Sequence, residues 1–169
     1  MSRSDPLLAL LGLRTEPVAE LLAVLRRRGE TVATAESLTA GLLAATLTAV
    51  AGSSAVVRGG LVVYATDLKA ELAGVPAALL AEHGAVHPLV AVSLATGARE
   101  RCGASWGIGL TGAAGPDPQD GVLPGTVHLA VTGPDGSHQR ELHATGARHA
   151  VRAATVVAAV ELLAGAVLR

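Results

Sequence analysis

Phenylalanine is absent from this chain of 169 residues, and tyrosine, tryptophan, methionine and cysteine occur once each. Half of the residues are hydrophobic, so a sizeable core is available, but it must be aliphatic. The single cysteine, Cys102, excludes an intrachain disulfide framework and cannot make a metal site alone. It reads as a core residue in a reducing compartment. Charge of one sign is also lacking: thirteen basic residues stand against fourteen acidic ones, for a net charge of −1. The one basic cluster, Arg26-Arg27-Arg28, falls on the polar side of a helix, which argues against a nucleic-acid partner. The apolar run from Ala150 to Leu168 contains Arg152 and Glu161 and falls short of the ~20 clean residues of a spanning helix. Leu7 to Leu13 follows Pro6, with only Arg3 upstream and no small-residue cleavage site behind it. These absences lead us to expect a cytoplasmic protein with no membrane partner.

Lysine is the scarcest charged residue. Lys69 is the only one, and the other twelve basic residues are arginines. A lysine that survives such a bias either persists by chance on a solvated face or sits where arginine cannot replace it. Arginine stays protonated, whereas a partly buried lysine can lose its proton and act as a base. Tyr64, the only tyrosine, lies five residues earlier.

The chain is organised around Thr34-Ala35-Glu36-Ser37-Leu38-Thr39-Ala40-Gly41. A β-branched run precedes this stretch and an apolar helical run, Leu42 to Val50, follows it, which reads as strand, tight turn, helix. Ser37 and the amides of Leu38 to Gly41 would then lie at a helix N-terminus, where N–H groups and the dipole favour anions. Two readings stay open: Ser37 is a helix cap, or it is a nucleophile with amides nearby for an oxyanion. Glu36 is either an orienting carboxylate or a favourable charge at that helix end. A serine nucleophile needs a base, and the six histidines show neither metal-like spacing nor a suggestive flanking motif. Serine with lysine, relayed through tyrosine, is the alternative.

Along the chain, residues 1–14 read as a loosely held leader. Thr15 caps a helix that Gly29 closes, with Val18, Leu21, Leu22 and Leu25 at helical spacing. Leu61 to Tyr64 reads as a short buried strand, Asp67 to Leu72 and Pro76 to Glu82 as short helices, and Leu89 to Cys102 as a longer one. Trp106 to Leu110 is a strand entering the glycine-rich loop Thr111–Pro118. Residues 125–131 and 139–144 pair as a hairpin turning at Pro134-Asp135-Gly136, and residues 147–168 close the chain as a helix. Arg148 and Arg152 lie one turn apart there, either as a phosphate clamp or as ordinary surface residues. Strands alternating with helices predict an α/β fold, a three-layer α/β/α sandwich with a mixed sheet, in one domain over 1–169.

Several motifs occur in order: Thr34-Ala35-Glu36-Ser37-x-Thr39-x-Gly41, Gly52-Ser53-Ser54, Gly59-Gly60 with Tyr64 and Lys69, Gly74-Val75-Pro76, His83-Gly84-Ala85-Val86, Thr111-Gly112-x-Ala114-Gly115-Pro116 and Pro124-Gly125-Thr126-Val127. Together they resemble the CinA C-terminal domain family, which includes bacterial nicotinamide-nucleotide amidohydrolases, over roughly residues 17–167. The resemblance implies a self-associating α/β/α sandwich that hydrolyses the carboxamide of nicotinamide mononucleotide without a metal or other cofactor. It implies Ser37 as nucleophile, Lys69 and Tyr64 as base and proton relay, and Arg148 facing the phosphate. Thr39, Gly41, Thr111 and Gly112 would line the substrate site, with Glu36 beside them. Leu38, Ala40 and His87 depart from the family's usual Cys, Gly and Ser. Two further readings are a nucleotide-binding or regulatory module without turnover, linked to competence or DNA damage, and hydrolysis of another small amide.

Overall fold

The computed structural model describes residues 5–168. Its centre is a five-stranded mixed sheet in the order β2-β1-β3-β4-β5. The strands are β1 (Val32–Glu36), β2 (Val57–Val62), β3 (Trp106–Gly112), β4 (Thr126–Gly133) and β5 (Gly136–His143). β1 runs parallel to both β2 and β3, and β4 and β5 add antiparallel to the far side of β3. Among the described residues seven α-helices surround it: α1 (Pro6–Leu10), α2 (Thr15–Arg28), α3 (Leu42–Thr48), α4 (Thr66–Glu71), α5 (Ala77–His83), α6 (Pro88–Arg101) and α7 (Arg148–Val167).

Strand alternation divides the core between the two faces. Val32 of β1, Trp106, Ile108 and Leu110 of β3 and Val127, Leu129 and Val131 of β4 pack with Leu8, Leu25, Leu43 and Leu163 of α1, α2, α3 and α7. Ala33 and Ala35 turn the other way, onto Val90, Leu94 and Ala98 of α6. On that second face β3 presents Gly107 and Gly109, followed by Thr111 at its end. A Cβ at Gly109 would lie 2.2 Å from the Ala91 carbonyl oxygen, and one at Gly107 would lie 1.9 Å from that of Ala95. The glycines are what let α6 lie directly on the strand. α7 is long and apolar enough to cross a membrane by length and composition, but its Val151, Val156, Ala159, Leu163 and Val167 are buried in the core.

Three expectations are corrected. Residues 5–14 are not a loose leader: Asp5 Oδ1 accepts from the amides of Leu7 and Leu8 to start α1, and Leu8 is fully buried. Residues 1–4 of that expected leader lie outside the described residues. Thr15 does not cap α2. It is the helix's first residue, and its hydroxyl accepts from Asp5 N at 3.1 Å. The strand read as Leu61–Tyr64 is instead β2, an edge strand ending at Val62 with every second residue exposed.

Candidate active site

β1 is followed by β2 on one side and, after α4 to α6, by β3 on the other. The chain therefore departs in opposite directions from the carboxyl ends of β1 and β3, the switch point where open α/β sheets build their sites. A cleft of about 280 Å³ opens there, lined by Ser37 and Leu38 after β1, Tyr64 after β2, Gly112 ending β3, Ala114 and Gln119 in the following loop, and Arg148 at the start of α7.

The Ser37 turn differs from a simple strand-to-helix step. Ala40 (φ +50°) and Gly41 (φ +91°) are both left-handed, and α3 begins only at Leu42. The methyl of Ala40 makes its conformation costly by about 1 kcal/mol relative to an ordinary backbone region. The detour turns the N-terminus of α3 onto Glu36 rather than onto Ser37. Glu36 is fully buried. Its Oε1 accepts from Thr34 Oγ1 (3.1 Å) and Ala44 N (2.8 Å), and its Oε2 from Gly41 N (3.1 Å) and Leu43 N (3.0 Å). Ser37 N donates to Leu110 O and Ala40 N to Ser37 O. The amides of Leu38 and Thr39 donate to no protein group among the described residues.

Lys69 is the largest fully buried side chain. Its Nζ donates to the carbonyls of Val63 (2.9 Å) and Tyr64 (3.2 Å). Burial lowers its pKa from 10.5 to about 8, against the opposing pull of the carboxylates of Asp120 and Asp67. No hydrogen bond joins Lys69 to Ser37 among the described residues. At the mouth of the cleft, Arg148 donates to the Tyr64 hydroxyl and to Gly115 O, both at 2.9 Å.

Of the nine residues expected in the site, Ser37, Tyr64, Gly112 and Arg148 line this cleft and five do not. Glu36 serves α3, as described. Thr111 alternates to the α6 face and donates to Ala85 O at 2.6 Å. Thr39 is fully buried, its hydroxyl has no partner among the described residues, and its carbonyl accepts from Arg152 at 3.0 Å. Gly41 supplies the left-handed turn and an amide to Glu36. Lys69 stands behind the wall, bonded to the backbone that carries Tyr64. Arg152, bound to Thr39, forms no clamp with Arg148. Gln119 is a lining residue that sequence reading missed, and its only local signal was a place in a proline- and glycine-rich loop.

A family model described as CinA C-terminal domain matches residues 15–167. A CinA-like protein of Frankia casuarinae is 46% identical over 143 residues, covering 85% of this chain and 33% of that relative. One of Anaeromyxobacter dehalogenans is 50% identical over 144 residues, covering 85% and 35%. The chain thus spans about a third of the length of the curated relatives it matches. Among solved structures, the competence/damage inducible protein CihA from Agrobacterium tumefaciens superposes with a TM-score of 0.87 at 35% identity, over 100% of both chains. A competence-damaged protein (CinA) superfamily protein from Klebsiella pneumoniae gives 0.86 at 32% identity, over 91% of this chain and 97% of that one.

Proposed function

This chain belongs to the CinA C-terminal domain family, and from that membership and the Ser37 cleft we propose that it hydrolyses the carboxamide of nicotinamide mononucleotide, giving nicotinate mononucleotide and ammonia. The observation that carries the reading is the chain's only lysine, fully buried behind the cleft and with its pKa lowered to about 8. When neutral, the Lys69 amine keeps two N–H bonds on the Val63 and Tyr64 carbonyls, and its lone pair is the one position left to take a proton. Lys69 accepts the Ser37 proton, directly or through Tyr64, as Oγ bonds to the amide carbon. The C–N bond then breaks as Lys69 returns that proton to the leaving nitrogen, and ammonia departs. Water attacks the resulting ester, giving its proton through Lys69 to Ser37 Oγ and leaving the acid. The amide of Leu38, which borders the cleft and donates to no protein group among the described residues, suits the developing oxyanion. The guanidinium of Arg148, with donors to spare beyond Tyr64 and Gly115, suits the phosphate.

Ammonia release from nicotinamide mononucleotide tests this directly. Ser37→Ala and Lys69→Arg should each lower kcat/KM by roughly 10³-fold or more, since arginine cannot serve as a base. In the unmodified enzyme kcat/KM should rise with pH and level off above about 8, as Lys69 loses its proton. Full activity in Lys69→Arg would refute the base assignment. Mononucleotide binding without ammonia release would assign the cleft to a binding module instead.

A further inference from the structure

The loop after β3 carries Gln119 into the cleft wall, and the next residue, Asp120, is held in a way that loop packing alone does not require. Asp120 is left-handed at φ +50°. Gln119 and Val122 exchange backbone bonds of 3.0 and 2.8 Å around it, closing a tight turn. That turn aims the Asp120 carboxylate across 35 residues of chain to the connection between α5 and α6, where Oδ2 accepts from Ala85 N at 3.0 Å. The opposite end of the same residue, Ala85 O, accepts from Thr111 Oγ1 at 2.6 Å. Gly84 is positioned so that even a Cβ would lie only 3.0 Å from that of Asp120. Three segments therefore meet at one fully buried residue, Ala85: the strand end carrying Gly112, the loop carrying Gln119, and the turn before α6.

We propose that Asp120 is a positioning residue of the cleft: its carboxylate anchors the Gln119 loop to Ala85 and balances the charge of the buried Lys69. This deepens the amidohydrolase reading and rests on it for the catalytic part only. The charged groups acting on Lys69 are Asp120, from this loop, and Asp67, from α4 itself. With Asp120 present the ammonium is favoured, so removing its charge should make Lys69 a weaker base but leave more of it unprotonated at neutral pH.

Because Lys69 is the only lysine, labelling lysine with ¹³C at Cε gives one side-chain resonance whose titration reads this site in the folded chain, whether or not the protein turns over. Asp120→Asn keeps an acceptor for Ala85 N and tolerates φ +50°, while Asp120→Ala removes both charge and anchor. The expected result is a Lys69 midpoint lowered by roughly half a pH unit in both variants. In ammonia release, the rising limb of kcat/KM should move down in pH by the same amount in both, and KM should rise roughly tenfold in Asp120→Ala but much less in Asp120→Asn. A Lys69 midpoint unmoved in both variants, or equal KM values in the two, would overturn the proposal. Absence of ammonia release from the unmodified protein would refute the functional reading alone, with the Lys69 titration still deciding the role of Asp120.

Discussion

Replacing Glu36 by Gln separates two roles that one carboxylate beside a nucleophile can play. As a substrate contact, Glu36 would affect KM and leave the fold alone. The structure instead has it fully buried, holding four donors through two oxygens. A glutamine has one oxygen and two orientations. With its oxygen at the Oε1 position, its NH₂ faces the amides of Gly41 and Leu43 and orphans both. With its oxygen at the Oε2 position, the NH₂ faces Thr34, whose hydroxyl can rotate to accept, and only Ala44 N is orphaned. The second orientation should win. Its cost is one buried unsatisfied donor, about 1–3 kcal/mol, plus the weakening of the remaining bonds once the acceptor is neutral, for about 2–4 kcal/mol in all. In a chain of this length that lowers Tm by about 10 °C. Urea unfolding should show a lower midpoint at unchanged slope, with the loss shared by α3 and the Ser37 turn. A Glu36→Gln protein within about 0.5 kcal/mol of the original, the scatter of surface substitutions, but with a raised KM would refute the structural role and restore Glu36 to the substrate.

The same stretch shows what could and could not be read from sequence. The β-branched run before Ser37 and the apolar run from Leu42 mark strand and helix because each is a local pattern. The detour between them depends on Ala40 and Gly41 in succession adopting left-handed backbone, and alanine gives no sign of it. Sequence allows Glu36 either as an orienting carboxylate or as a charge for the helix end, and only the direction of the α3 N-terminus decides between them. In β3 the alternation of Trp106, Ile108 and Leu110 with Gly107 and Gly109 marks a strand, and its small face foretells a close neighbour but not which helix. Thr111 and Gly112 fit the motif equally well. Strand alternation sends the threonine to the α6 face, where its hydroxyl holds Ala85, while Gly112 borders the cleft. Asp120 precedes Gly121 in a loop, a turn signal, yet its bond to Ala85 is tertiary and leaves no mark in spacing. Lys69 was legible for a different reason: its rarity, not its neighbours, singled it out.

Two further perturbations address the fold. Gly109→Ala would bring a methyl to 2.2 Å from Ala91 O and 2.4 Å from Ala95 N, both backbone of α6. The helix must move off the sheet, at a cost of about 2–3 kcal/mol in chemical unfolding. A change under about 0.5 kcal/mol would mean that α6 does not rest on β3 as described. The second concerns acid. His87 begins α6 by accepting from Leu89 N at its Nδ1 (3.3 Å), a bond that requires that nitrogen to be unprotonated. Burial lowers its pKa below 6.5, reinforced by His83 and opposed by Glu82. Burial likewise lowers that of His128 on β4, opposed by Glu141 and reinforced by His87 and His143. Below pH 6.5 the unfolded chain binds these protons more readily than the folded one, so stability rises with pH in that range. Their contribution is therefore complete above about 6.5 and is lost as pH falls through the lowered folded values. The urea midpoint should drop between about pH 7 and pH 5, the range in which histidines titrate, and drop less in a His87→Ser, His128→Gln double variant. Serine restores a cap acceptor that does not titrate, so His87→Ser alone should recover part of the difference while leaving α6 intact. An identical pH dependence in the original and the double variant would place the acid sensitivity elsewhere, among groups that these two histidines do not touch.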